Sequence, residues 1–206
     1  MRSEFQPYVA SIAKYFDFKI ISLESTLESQ KATMTKLGYK AHEVLTHRLP
    51  VADDVVTAFM QHELRKSECI TKGWMLVNYP ANHAQFEQFE RFNPDTLLFM
   101  CISEEHSVSQ TLLEQTKIDS VSGKLYSPLD SERLKEAQDR GVALSALSET
   151  QKANLGAAVQ AYERLLTHLT EHHRAKVCSL SGTRMQETKG QDALDMIHSF
   201  VWEHYH

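Results

Sequence analysis

The sequence predicts an α/β fold: a three-layer arrangement in which helices flank a mainly parallel sheet, organised as one domain. Three observations carry this. Trp74-Met75-Leu76-Val77 and Leu97-Leu98-Phe99-Met100-Cys101-Ile102 are short continuous apolar runs of the kind that strands buried on both faces of a parallel sheet display. Segments of helical spacing separate them, which is the alternation expected of crossover connections. At 206 residues, 42% of them hydrophobic, the chain is long enough for a sizeable core, and no repeat, low-complexity tract or linker divides it.

Taken in order, Tyr8, Ile12, Tyr15 and Phe16 recur at helical spacing and lead into Phe18-Lys19-Ile20-Ile21-Ser22, a first strand. Residues 24–48 are polar and predict two helical pieces broken near Gly38. From Ala52 to Lys66 the positions Val55, Val56, Phe59, Met60 and Leu64 mark an amphipathic helix, with Asp53 and Asp54 in the first turn, where the helix dipole favours negative charge. Gly73 closes the next connection and the strand 74–77 follows. Residues 84–92 predict a helix with Phe86, Phe89 and Phe92 on one side, Asn93-Pro94-Asp95 a turn, 97–102 a strand and 104–115 a helix. Residues 118–128, containing Gly123, predict a hairpin-like excursion, and 131–148 one helix and a connector. A long helix over 149–174, a strand over 176–180, a turn at 181–183 and a helix over 192–204 complete the chain.

Composition excludes several classes. Lys and Arg number 22 against 27 Asp and Glu, a net charge of −5 without a basic block, so the chain lacks the electrostatic footprint of a nucleic-acid binder. No run approaches the ~18 apolar residues of a membrane span, and Met1 to Gln6 has no signal-peptide stretch. Three cysteines, Cys69, Cys101 and Cys178, are odd in number and far apart, which predicts reduced thiols and a cytoplasmic setting rather than a disulfide framework or a zinc site.

The segment from Cys69 through Gly73-Trp74-Met75-Leu76-Val77-Asn78-Tyr79-Pro80-Ala81-Asn82-His83-Ala84-Gln85 resembles the adenylate kinase family around its strand and D-G-F-P-R-T-x-x-Q signature. The likeness continues in order along the chain. Phe18 to Ser22 is similar to the strand before the family's T-G-D-L-L-R, Val51 to Val56 to its V-P-D-E-L-V, and Ile118 to Tyr126 to the I-D-P-V-T-G-x-x-Y of its lid, here about residues 115–130. The Lys72-Gly73-Trp74 segment and the short lid resemble the tandem-domain adenylate kinases of cilia and sperm flagella. The resemblance implies a P-loop NTPase fold with sheet order 2-3-1-4-5, in which the first, phosphate-loop strand is central.

Phosphoryl transfer needs backbone N–H groups and a Lys around the phosphates, a magnesium site and several arginines. The family's Gly-rich loop precedes its first helix, and this sequence opens at the equivalent of that helix; its Gly123-Lys124 pair has no glycine five residues earlier. T-G-D-L-L-R becomes Leu23-Glu24-Ser25-Thr26-Leu27-Glu28, so a carboxylate stands where a phosphate-binding arginine is implied. The magnesium-holding acid of the next strand falls on Val77 and the following arginine on Ala81. Lid arginine positions fall near Gln115 and Thr116, with Lys117 the basic residue there, and the later arginine and acidic positions fall near Leu147, Glu149, Thr150 and Ala158. Loss of one such arginine costs about 10³ to 10⁵ in rate.

The expected function is therefore a catalytically inactive adenylate-kinase-like subunit with a structural or interaction role in a larger complex, the closer resemblance implying a ciliary or flagellar axoneme. The alternative is a nucleoside monophosphate kinase converting ATP and AMP to ADP, its phosphate loop missing from this chain or supplied in trans. Asn78, Tyr79, Pro80 and Gln85 are the vestigial nucleoside-pocket candidates, because Gln85 matches the family's base-recognising glutamine. No catalytic residue, cofactor or metal is expected, and the expected partner is a protein. If the implied central strand is missing, its neighbours must either pair directly or accept a strand from a partner by β-augmentation.

Eleven histidines raise a metal reading, and His168 and His172 are four apart on a predicted helix with His173 beside them. No H-E-x-x-H is present and His42 and His47 are five apart, so solvated or structural histidines are expected. Cys101, inside an apolar run, reads as a small hydrophobe rather than a nucleophile.

Overall fold

The computed structural model of the chain describes residues 6–47, 50–92, 98–103, 114–123, 125–126, 128, 131–173, 177–181, 188 and 191–205. It divides into two compact units, Ala10–Leu97 on the one hand and Leu98–His206 with Met1–Val9 on the other.

Helix α1 (Gln6–Phe16), which enters the first unit at Ala10, leads into strand β1 (Lys19–Ser22), and α2 (Leu23–Gln30) starts at once. That abrupt change of direction is fixed by a serine pair: Ser22 Oγ accepts from the Ser25 N–H at 3.2 Å while Ser25 Oγ accepts from the Ser22 N–H at 3.1 Å. The break expected near Gly38 falls earlier, between α2 and α3 (Lys36–His47), and Gly38 lies inside α3. Its role is close approach rather than breaking: a Cβ there would lie 2.1 Å from the Thr33 carbonyl oxygen. Thr35 caps α3 by accepting from the Gly38 N–H at 3.0 Å.

Helix α4 (Asp53–Leu64) carries both aspartates in its first turn. A short helix not expected from the sequence, α5 (Ser67–Lys72), follows and ends at Gly73, whose φ of 82° only glycine adopts readily. Strand β2 (Trp74–Val77) then pairs with β1 in parallel, Lys19 opposite Trp74 and Ser22 opposite Val77. Helix α6 (His83–Phe92) completes the unit. Phe59, Phe86, Phe89, Ile12, Ile21 and Met60 are its largest fully buried apolar side chains, and Trp74 meets Phe89 edge-to-face at 6.1 Å. One expectation is corrected here. All four residues of β2 are only half-buried, and among the described residues β2 pairs with β1 alone.

In the second unit β3 (Phe99–Ser103) pairs in parallel with β7 (Val177–Ser181), Phe99 opposite Val177. The expected excursion is a hairpin of β4 (Lys117–Asp119) and β5 (Leu125–Tyr126), joined on its other side by β6 (Leu144–Ala146) to give the antiparallel order β5-β4-β6. Asp119 organises the turn: its carboxylate accepts from the Val121 N–H at 2.9 Å and from the Ser122 hydroxyl, and Gly123 sits at a φ of 70°. The ambiguous stretch 131–148 contains α7 (Ser131–Asp139) and β6, a strand the sequence did not predict. Helix α8 (Glu149–His172) opens on a capping box between Ser148 and Gln151 and buries Leu165 and Leu169. The chain closes with α9 (Gln191–Tyr205).

The α/β organisation expected from the sequence is present. Among the described residues, its parallel strands form two separate two-stranded sheets, and no five-stranded sheet is formed. Of the predicted helix over 104–115, residues 104–113 lie outside the described residues, as do the predicted turn residues Asn93, Pro94, Asp95, Gly182 and Thr183.

Candidate functional site

The candidate residues gather where β2 gives way to α6, against the first turns of α4. Asn78 follows the strand at a φ of 61°, the left-handed conformation that Asn tolerates better than most residues. It stands where the family signature has glycine, which accounts for a polar, sterically tolerant residue there. The Tyr79–Pro80 peptide bond is cis. Asn82 caps α6, its Oδ1 accepting from the Gln85 N–H at 2.9 Å.

Gln85, the base-recognition candidate, is buried and already engaged. Its Oε1 accepts from the Ala81 N–H at 2.8 Å, and its Nε2 donates to Asp53 Oδ1 at 2.6 Å. Asn82 Nδ2 donates to the same Asp53 oxygen at 3.0 Å. Tyr79, also buried, donates its hydroxyl to Thr57 Oγ1 at 3.0 Å. Burial pushes the Tyr79 hydroxyl above its ordinary pKa of 10.0; the Thr57 hydrogen bond opposes the shift and the Asp53 charge adds to it. The structure thus brings Tyr79 and Gln85 together with three residues that sequence reasoning did not place in the site, Asp53, Thr57 and Asn82. The Asn82-x-x-Gln85 spacing, a helix-start signature, was the legible signal for one of them.

Chemically, a carboxamide offers one donor edge and one acceptor edge to a base. Here the acceptor edge meets a backbone N–H and the donor edge a carboxylate of the same chain. Of the side chains bonded in this network only Asp53 carries a charge, and it is negative. Val77 is half-buried at the strand end and Ala81 is exposed. Glu28 is exposed and pairs with Lys31, one turn on.

In the other unit, Gln115 and Ala158 are exposed, Thr116 and Leu147 are buried, and Glu149 pairs with Lys152 at 2.8 Å. Among the described residues no group of three or more His, Cys, Asp or Glu could hold a metal ion. His168 and His172 do share a face of α8, their rings 4.7 Å apart, with His173 at 5.8 Å from His168. Beside them Gln160, Glu163, Arg164, Thr167 and Glu171 line a shallow open depression of ≈ 350 Å³ with charges of both signs. No described helix is long and apolar enough to cross a membrane.

The β2–turn–α6 unit, with a glutamine three residues into the helix, is where the structure carries the segment whose resemblance to a kinase signature was read from the sequence. No family model matches the chain. Curated relatives do: the adenylate kinase of Thermoanaerobacter sp. (strain X514) is 37% identical over 84 residues, covering 41% of this chain and 38% of that one. The adenylate kinase of Trypanosoma brucei rhodesiense is 25% identical over 121 residues, 59% of this chain and 58% of that one. Adenylate kinase 8 of Rattus norvegicus is 21% identical over 168 residues, 76% of this chain and 35% of that one. The chain is thus similar to adenylate kinases over part of its length, and the match spans about 38% of the length of the bacterial relative.

Proposed function

We propose that the chain is a catalytically inactive adenylate-kinase-like protein with a structural or interaction role in a larger complex. The observation that carries this reading is the Gln85 carboxamide, held by Asp53 and the Ala81 N–H in a network whose one charge is negative. Stabilising a transferring phosphoryl group requires cations directed at its oxygens. At the positions where the family resemblance implies an arginine, an arginine and a magnesium-holding acid, this chain has Glu28, Ala81 and Val77. The partner is a protein. An axonemal place is supported by the resemblance of Lys72-Gly73-Trp74 and the short lid to the tandem-domain kinases of cilia and flagella.

The names of the relatives favour the opposing reading, an active kinase completed by a phosphate loop from elsewhere. A coupled assay for ADP formation from ATP and AMP on the purified chain, with titration of each nucleotide, separates the two. No turnover and no binding in the micromolar range is the expected outcome. Turnover, or micromolar ATP binding, sinks the proposal.

A further inference from the structure

The last turn of α8 sets two imidazoles side by side. His168, half-buried, and His172, exposed, are four residues apart, so one helical turn places them on a single face. Their ring centroids lie 4.7 Å apart, with the ring planes inclined at 46°. That separation has a chemical meaning. Two imidazole nitrogens bound to one divalent ion at about 2.0–2.1 Å, with an angle at the metal of about 90° to 109°, put their ring centroids about 4.5 to 5.2 Å apart. The His168–His172 pair falls inside this span. His173, whose ring centroid is 5.8 Å from that of His168, falls outside it.

Two further observations point the same way. The segment His168-Leu169-Thr170-Glu171-His172 has the H-x-x-E-H order, with which one class of zinc enzymes presents two imidazoles from a helix turn to the metal. A search for H-E-x-x-H misses it, because the glutamate precedes the second histidine instead of following the first. The local charge also suits a cation. This turn closes a 24-residue helix, whose unpaired terminal carbonyls favour positive charge. Among the residues lining the depression at His168, Glu163 and Glu171 supply two carboxylates against the guanidinium of Arg164.

We propose that His168 and His172 form a binding site for one first-row divalent transition-metal ion, zinc or copper by preference. Imidazole suits these ions, whereas magnesium and calcium require oxygen ligands that the pair does not offer. The two histidines supply neutral nitrogen donors and water completes the coordination, since no third His, Cys, Asp or Glu among the described residues is placed to join them. Histidines that the sequence leaves as solvated or structural thus acquire a ligand. The site lies within one helix and shares no residue with the kinase-like turn, so it stands or falls apart from the catalytic reading.

The test is calorimetric titration of the full chain with Zn²⁺ alone, without nucleotide. Binding of one equivalent in the micromolar range is expected. His168→Ala and His172→Ala should each weaken it about tenfold or more, because losing either donor forfeits the second, intramolecular bond. His173→Ala should leave the affinity within about twofold of the parent. Both critical variants should keep the far-ultraviolet circular dichroism of the parent, since alanine is the better helix former. With Cu²⁺ as the probe, electron paramagnetic resonance should show two coordinating nitrogens in the parent and one in either variant; the parent spectrum decides alone if a variant does not fold. A single nitrogen in the parent, or no binding in the micromolar range, overturns the proposal. So does weak uptake of several equivalents that neither variant reduces, the mark of an adventitious ion only. An equal loss from His173→Ala overturns it as well, because the ring separations exclude that residue.

Discussion

Helix α4 carries a hydrogen-bonded carboxylate at each end, and the two are held in different ways. Asp53, in its first turn, accepts from Gln85 Nε2 and Asn82 Nδ2, both neutral amides. Glu63, in its last turn, is buried, accepts from Gln30 Nε2 at 3.2 Å, and in addition receives Lys66 Nζ at 2.6 and 2.7 Å. The helix dipole explains the difference. Exposed backbone N–H groups favour a negative charge at the N-terminus, whereas unpaired carbonyls oppose one at the C-terminus, so Glu63 needs a cation and Asp53 does not. The described ion pairs of this unit include Lys66 with the buried Glu63 and, on the surface, Lys19 with Glu68 and Lys72 with Asp17. Among the described residues, no ion pair is made by Asp53 at the other end of α4.

The largest effect that sharpens this comparison is expected from Asp53→Ala. It deprives two amides of their acceptor, and Gln85 is too buried to turn to water, so the loss should be about 2 to 4 kcal/mol. Urea unfolding would show it as a lower midpoint with an unchanged slope. A loss below about 0.5 kcal/mol would mean that the network is not structural and that Gln85 is free to serve a ligand. Lys66→Met comes next. The lysine is partly exposed, which discounts its charge, and Gln30 stays on Glu63, so about 1 to 2 kcal/mol is expected. A double-mutant cycle with Glu63→Gln isolates the pair, and a coupling near zero would break the argument from the dipole.

Much of this unit was legible in the sequence, for reasons of local chemistry. Asp53 and Asp54 announce the start of α4, Gly73 its φ of 82°, and the apolar runs the strands. What the sequence hid is long-range. Gln85 reads as a surface helix residue or a base reader, and only folding brings it to Asp53, 32 residues earlier. Gln30 and Glu63, 33 residues apart, are invisible to periodicity for the same reason. Strand β6 was missed because its side chains are mostly exposed, so Leu144–Ala146 lacks an apolar pattern and is a strand through pairing with β4 alone. Trp74–Val77 misled in the opposite sense: a fully apolar run implies two covered faces, and all four residues of β2 are half-buried.

The smallest expected effect tests the Asp53 end of α4 by pH. Three groups in this unit are held above their ordinary values. Burial raises the Tyr79 hydroxyl from 10.0, burial followed by Glu63 and Glu68 raises the Cys69 thiol from 9.0, and the hydrogen bond to Glu68 raises Lys19 from 10.5. In each case the folded chain binds the proton more tightly than the unfolded one. Their contribution is therefore complete below the ordinary values and is lost as pH rises through the raised ones, so stability should decline on the alkaline side from about pH 9 upward. Tyr79→Phe removes one of the three ionisations along with the hydroxyl that Thr57 accepts, at a cost of about 1 kcal/mol at neutral pH. The variant should lose stability less steeply than the parent above pH 10, keeping the part that Lys19 and Cys69 contribute. Parallel curves for variant and parent would show that Tyr79 ionises as freely in the folded chain as in the unfolded one, and that the turn beside Gln85 is open to water rather than closed by its own network.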